Sequence, residues 1–412
     1  MTATLYASLK PKAPSFSYLH KRYNAVLQLV NVLIGTIPNC DPIMEIWPTS
    51  FKTYNLFVPN MLNLPASLFG SKSVKSLMGL AMYQSSAAAG CNYCTAHCCS
   101  FAIRRGLDES VILGAAEKKE AAVINFSQKM ALIPCEVTKE DYQNLKNHCN
   151  AKEVEAVSMG IVLMGFLNKF MDVIGVELEP EAIDDVANLL SNTDWETGKH
   201  FNGEAKPSKG HNIKTDSLST FLKVIIQAPG AIRLEKQWTK GVPSDLNAIN
   251  SFLKNSIGHH FSILSKLKSG KLKRAVATIL RDNFSASNTD IGLRAKVLCG
   301  LIFSKIIKNN YLEIELMLLA PNNNVDISEE LLGSIVDLSN NVAVNLNRNT
   351  TLTEQEVAAM HFTVKASPSP AIIYEQAIQD VTNQLSPKSI VELVTWISIL
   401  QALHRLEKLP GT

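Results

Sequence analysis

Charge is scarce in this chain. Asp, Glu, Lys and Arg make up 19% of its 412 residues and leave a net charge of only +3. A balance so near neutrality does not point to a nucleic-acid partner. The densest basic run, Lys266, Lys268, Lys271, Lys273 and Arg274, reads as a solvated helix face. Aromatic residues are also few, at 7%, and Trp47, Trp195, Trp238 and Trp396 have the scattered spacing of packing residues. Eight cysteines in a chain of this length are too few for a disulfide framework. Met1 to Leu5 lack the charged start and apolar core of a signal peptide, so the expectation is a cytoplasmic protein with reduced thiols. The most apolar window, Val157 to Val173, is interrupted by Asn168, Lys169 and Asp172. That pattern predicts a buried helix and no membrane association. There is no phosphate-binding glycine loop, no H-E-x-x-H and no G-x-S-x-G, and nothing points to a cofactor or a resident metal.

What the chain does have is helical periodicity. Apolar residues recur at three- and four-residue spacing, as in Val74, Leu77, Leu80 and Ala81, or Ile306, Ile307, Leu312, Ile314 and Leu316. Strand signals are sparse, so the predicted fold class is all-α. Ser191 to Asp216 is rich in Asn, Gly and Lys and poor in apolar residues, and it divides the chain. The expected organisation is a helical domain over 1–190, a linker or long loop over 191–216, and a second helical domain over 217–412. The halves can be set against each other. Val154, Val157, Ile161, Leu163, Leu167 and Phe170 meet Ile390, Leu393, Ile397, Ile399, Leu403 and Leu406 at one constant offset. Lys75 to Leu80 can be aligned with Lys296 to Leu301, and Ala122 to Ser127 with Ser334 to Ser339. Three matches in the same order point to a duplication.

The chemistry concentrates in Gly90-Cys91-Asn92-Tyr93-Cys94-Thr95-Ala96-His97-Cys98-Cys99. A C-x-x-C pair at a helix start has the means for redox catalysis. The helix N-terminus lowers a thiol pKa, and the second sulfur can close a disulfide on the first. Cys91, Cys94 and Cys98 follow at i, i+3 and i+7, the spacing of one helix face, which makes Cys98 a candidate alternative resolving thiol. A zinc site from Cys91, Cys94, His97 and Cys98 is disfavoured, because one continuous helix does not wrap four ligands round an ion. Cys40, Cys135, Cys149 and Cys299 are isolated in sequence, and His259-His260 beside Gly258 are expected at a helix start or on the surface. The matching region of the second half reads Asn309-Asn310-Tyr311-Leu312-Glu313 and carries no cysteine pair.

From Val74 to Leu107 the sequence resembles the alkylhydroperoxidase D-like and carboxymuconolactone decarboxylase superfamily. The resemblance rests on the apolar stretch Leu77 to Ala88, then Gly90-Cys91-x-Tyr93-Cys94, a histidine, Ala102 and Gly106-Leu107. With Val154 to Val173 resembling the family's closing helix, it covers most of residues 55–190 and extends over 217–412 by pattern only. It implies two tandem alkylhydroperoxidase D-like helical domains, the second degenerate. It also implies a peroxiredoxin-type antioxidant oxidoreductase that takes a peroxide and an external dithiol reductant, with Cys94 as nucleophile and Cys91 as resolving thiol. Family members assemble through helix faces, so the resemblance leaves room for a homo-oligomer. Two positions depart from the pattern. Gly79 stands where the peroxidases carry a relay glutamate, and Cys98 stands where they carry a histidine, so that His97 is the nearby imidazole. The departures keep two other readings open: a non-catalytic regulatory protein with a sestrin-like layout, and a carboxymuconolactone decarboxylase-like enzyme.

Overall fold

The computed structural model describes residues 3–201, 213, 215–342, 346 and 352–409. Among them every regular element is a helix, as the periodicity predicts. The first half contains α1 (Leu5–Leu9), α2 (Phe16–Ile34), α3 (Cys40–Glu45), α4 (Pro48–Met61), α5 (Leu64–Phe69) and α6 (Lys72–Ala88). It continues through α7 (Asn92–Arg104), α8 (Glu109–Ile112), α9 (Lys118–Ala131), α10 (Lys139–His148), α11 (Ala151–Ile174) and α12 (Pro180–Leu190). The second half contains α13 (Leu218–Trp238), α14 (Leu246–Ile257), α15 (Gly270–Asn283), α16 (Leu293–Ile306) and α17 (Asn310–Leu319). It ends with α18 (Glu329–Ser339), α19 (Glu354–Ala366), α20 (Glu375–Gln384) and α21 (Pro387–Lys408).

Local chemistry starts and stops these helices. The Ser71 hydroxyl caps α6, Thr138 and Asp141 form a capping box at α10, and Asn150 and Glu153 form another at α11. Gly175, in the left-handed region at φ 67°, closes α11. Helix α11 is the apolar window of the sequence. It is the one helix among the described residues long and apolar enough to cross a membrane, and 89% of that window is buried inside the protein. It is an axle between α6 on one side and α21 on the other. A Cβ on Gly165 would lie 3.0 Å from the Ala402 Cα, so the backbones of α11 and α21 cross at near contact.

Each of these two helices sends a buried cation into the other half. Lys169 Nζ donates to the carbonyls of Ala366, Ser367 and Pro368 at 2.9, 2.8 and 2.6 Å. Those are the orphan carbonyls at the C-terminus of α19, where a cation also meets the negative end of the helix dipole. Arg405 Nη1 donates to the Ser85 hydroxyl at 2.7 Å and the Ile161 carbonyl at 3.0 Å. One apolar core runs through both halves.

Similar backbone landmarks occur in the two halves and allow one to be set against the other. The Cys91 N–H donates to the Ser86 carbonyl at 3.1 Å just before α7, and the Asn309 N–H donates to the Ser304 carbonyl at 2.8 Å just before α17. Glu136 N–H reaches the Lys129 carbonyl after α9, and Ile372 N–H reaches the Lys365 carbonyl after α19. Asn150 and Ser386 cap α11 and α21, so the alignment of those two helices read from sequence agrees with their ends. The other two alignments need correction. Ser86 answers to Ser304, which shifts Lys75 to Leu80 by three residues against Lys296 to Leu301. The counterpart of α9 is α19, not α18, where Ser334 to Ser339 lie. A shift of one helical turn preserves the apolar face, so amphipathic pattern alone cannot register two helices.

The stretch expected as a linker lies partly outside the described residues, at 202–212 and 214. Its described part is packed. Trp195 Nε1 donates to the Asn92 carbonyl at 3.0 Å, the Leu178 N–H donates to the His200 carbonyl at 2.7 Å, and Asp216 pairs with buried Arg105. Basic residues expected on a solvated face also bridge elements. Lys266 caps the carbonyls of Glu407 and Leu409, and Lys271 pairs with Glu235 at 3.1 Å.

Two buried histidines make the fold acid-sensitive. Burial lowers the His200 pKa to about 4, and its Nδ1 lies 2.7 Å from the Val176 carbonyl. Burial lowers that of His404 to about 3. An unfolded histidine binds its proton near pH 6.5, before either folded one does. Stability is therefore full above pH 6.5 and falls as the pH drops toward 4, with His200 contributing about 3 kcal/mol of the loss. Urea unfolding at pH 7 and pH 4.5 measures the slope, and His200→Gln should flatten it.

Candidate active site

Cys91 is the N-cap of α7, with extended backbone at φ −92° and ψ 90°. The three thiols therefore do not share a continuous helix face: Cys94 and Cys98 lie one turn apart on α7, and Cys91 lies at its mouth. All three are buried. The Cys91 thiol is close enough to Cys94 to help raise its pKa. Cys98 Sγ lies 3.7 Å from the Ser86 hydroxyl and 3.7 Å from Met164 Sδ. Ser86 in turn donates to Asn168 Oδ1 at 3.0 Å.

A helix N-terminus was expected to lower a thiol pKa here, and the structure reverses that. Burial pushes Cys94 well above the ordinary thiol value, and the neighbouring Cys91 thiol adds to the rise. Burial likewise pushes Cys98 up to about 12. In a cavity walled by Leu33, Val58, Met82, Phe101, Leu163 and Met171, loss of solvation outweighs the helix dipole. The cavity holds about 90 Å³, and Tyr54, Tyr93, Cys94, His97 and Cys98 line it as well.

His97 has a carboxylate partner that the motif does not contain. Its Nε2 lies 2.8 Å from Glu179 Oε2. Glu179 is the N-cap residue of α12, immediately before Pro180. Its other oxygen accepts the Tyr93 hydroxyl at 2.9 Å and the backbone N–H of Asn39. Burial pushes the Glu179 carboxyl up, but the charge and hydrogen bond of His97 and the Asn39 amide more than offset it, so it stays below the usual range. The Tyr93 ring packs on the imidazole with centroids 4.6 Å apart. Burial, and then the Glu179 charge, push the Asp41 carboxyl well above the usual carboxylate range. Its neighbour Cys40, isolated in sequence, is a fourth buried thiol of this cluster, 3.8 Å from Asp41 Oδ1. Glu109 and Glu117, which lie downstream of the motif, take no part in this pairing.

Gly79 does not leave a vacancy for the family's glutamate. A Cβ there would lie 2.6 Å from the Ala102 Cα, because α6 and α7 pack backbone to backbone at that point. Even Gly79→Ala is expected to cost about 1–3 kcal/mol through overpacking. A denaturant midpoint shift would show it, and a midpoint equal to the native chain's would contradict the close approach.

The second half has a different cluster on α17. Set against α7 by the turn that precedes each helix, Asn309 aligns with Cys91, Tyr311 with Tyr93, Leu312 with Cys94 and Glu315 with His97. Glu315 pairs with His259 and accepts from Ser262 at 3.0 Å, while the Tyr311 oxygen accepts the Ile263 N–H at 3.0 Å. His259 and His260 thus follow a helix end, since Gly258 at φ 77° closes α14, and His259 is an ion-pair partner and not a surface residue.

No family model matches the chain, and no curated protein matches it. Two solved structures resemble part of it. One is the apo crystal structure of the debrominase Bmp8, 19% identical, covering 44% of this chain and 95% of its own, with a TM-score of 0.35. The other is a cysteine-to-alanine variant of Bmp8 in complex with 2,3,4-tribromopyrrole, 18% identical, covering 44% and 96%, with a TM-score of 0.33.

Proposed function

We propose that the chain is a thiol-dependent peroxidase or disulfide oxidoreductase of the alkylhydroperoxidase D-like kind, built from two tandem helical copies of which the first carries the chemistry. The observation that carries this reading is the convergence of Cys94 and a carboxylate-oriented imidazole on one small cavity, with Cys91 three residues away at the mouth of the same helix. With Nε2–H donating to Glu179, Nδ1 of His97 is the atom left to accept a proton. His97 takes the Cys94 proton as the sulfur attacks the peroxide. The O–O bond breaks, Cys94 becomes a sulfenic acid, and the departing oxygen leaves protonated. Cys91 then attacks that sulfur, water leaves, and a Cys91–Cys94 disulfide remains for an external dithiol to reduce. A cytoplasmic setting suits this cycle, since it needs reduced thiols.

A second reading has its own support. Burial keeps Cys94 and Cys98 protonated, and the second half has replaced the thiol positions with Asn309 and Leu312. That pattern suits a regulatory protein on a duplicated redox fold.

The test is peroxide consumption with a dithiol reductant, together with thiol mass spectrometry after stoichiometric peroxide. Catalysis predicts turnover that disappears in Cys94→Ser and a Cys91–Cys94 disulfide in the native chain. Free thiols and no turnover with any peroxide would replace this reading with the regulatory one.

A further inference from the structure

Cys91 is covered by the half of the protein that has no redox motif. A Cβ placed on Gly90 would come within 2.9 Å of the Pro370 ring, so that ring lies directly on the residue before Cys91. The segment carrying Pro370 leaves the C-terminal end of α19 and is fastened to α11 of the first half at two points. Lys169 Nζ holds the carbonyls of Ala366, Ser367 and Pro368. Asp172 Oδ2 accepts the Ala371 N–H at 2.6 Å, while its other oxygen pairs with Lys199 at 2.6 Å. Beneath this strap Cys91 has no exposed surface. Cys94 is the thiol of the pair on the wall of the apolar cavity.

We propose that residues 366–371 are a seal over Cys91 that confines exchange with external thiols to Cys94. The proposal rests on the disulfide cycle above and gives the second half a part in it. An incoming thiolate attacks Cys94 Sγ of the Cys91–Cys94 disulfide. The new sulfur–sulfur bond forms to Cys94, the old one breaks, and its electron pair leaves on Cys91, which takes up a proton. The second sulfur of the external dithiol then attacks the first, releasing Cys94 as a thiolate and the reductant as its disulfide. Two electrons pass from the dithiol to the protein. Attack on Cys91 instead requires a path through the strap, and exchange rates depend on which sulfur can be reached. The reductant is therefore one whose thiol enters the cavity, and the strap has to open locally before Cys91 reacts.

The test maps adducts on the reduced full-length chain after native-state reaction with iodoacetamide and with 5,5′-dithiobis(2-nitrobenzoate). Cys94 should label, and Cys91 should label at least about tenfold more slowly, because its reaction waits on local opening. Pro370→Gly and Asp172→Ala, which loosen the strap at different points, should each raise Cys91 labelling about tenfold and leave Cys94 within about twofold. Equal labelling of the two thiols in the native chain, no labelling of Cys94, or an unchanged Cys91 rate in both variants would overturn the proposal. Peroxide turnover on the same samples separates the two ideas. An intact labelling pattern without turnover removes the peroxidase reading and leaves the seal.

Discussion

On the proposed thiol chemistry, Glu179→Gln is expected to lower peroxide turnover about a hundredfold, the scale of losing one oriented acid–base group. Glutamine is nearly isosteric. Its side-chain oxygen can still take the Asn39 N–H and the Tyr93 hydroxyl, so the N-terminus of α12 stays docked. What it cannot do is stabilise an imidazolium. His97 loses the negative charge 2.8 Å from its Nε2. The fall should lie in kcat more than in KM, because the cavity wall is untouched. The Glu179 carboxylate also helps to hold the Asp41 proton, so Asp41 should release it at lower pH in the variant. Steady-state kinetics over pH would read both effects. Turnover equal to the native chain with an unshifted acidic limb would remove Glu179 from the relay.

The parts of this site that were legible in the sequence are the local ones. Cys91, Tyr93, Cys94, His97 and Cys98 lie within two turns, and their spacing alone places them together. The all-helical class and the burial of α11 follow from periodicity in the same way. Glu179 was not legible, because it reaches His97 across a separation of 82 residues and only packing of α12 on α7 brings it there. The one local trace was Glu179-Pro180, an acidic residue before a proline at a helix start, which predicts where α12 begins but not what its N-cap touches. Asp41 and Cys40 were hidden for the same reason. The pKa direction of Cys94 was misread because the dipole of α7 is visible in sequence, whereas the apolar wall drawn from α2, α4 and α11 is not.

Lys169→Met is expected to destabilise the protein by about 3–5 kcal/mol in urea unfolding. Replacing both members of a buried polar arrangement with apolar groups is often neutral. Here only the donor is removed, and three carbonyls at the end of α19 keep their need for it. Burial lowers the Lys169 pKa to about 7, with Asp172 working against the fall. An unfolded lysine keeps its proton to about pH 10.4, so the unfolded chain binds more protons between these values and native stability should rise with pH there. The methionine variant should lack that rise. Measured at pH 6 the loss should therefore be smallest, and it should grow as the pH rises through 7. Arg405 is the second clamp between the halves, at the matching register on α21, and Arg405→Met should cost a comparable amount. If both hold the same interface, the double variant should lose less than the sum of the single losses, because the first substitution already frees much of what the second would release. Strict additivity would mean that the two cations stabilise separate regions and that the halves are not joined as a unit through α11 and α21.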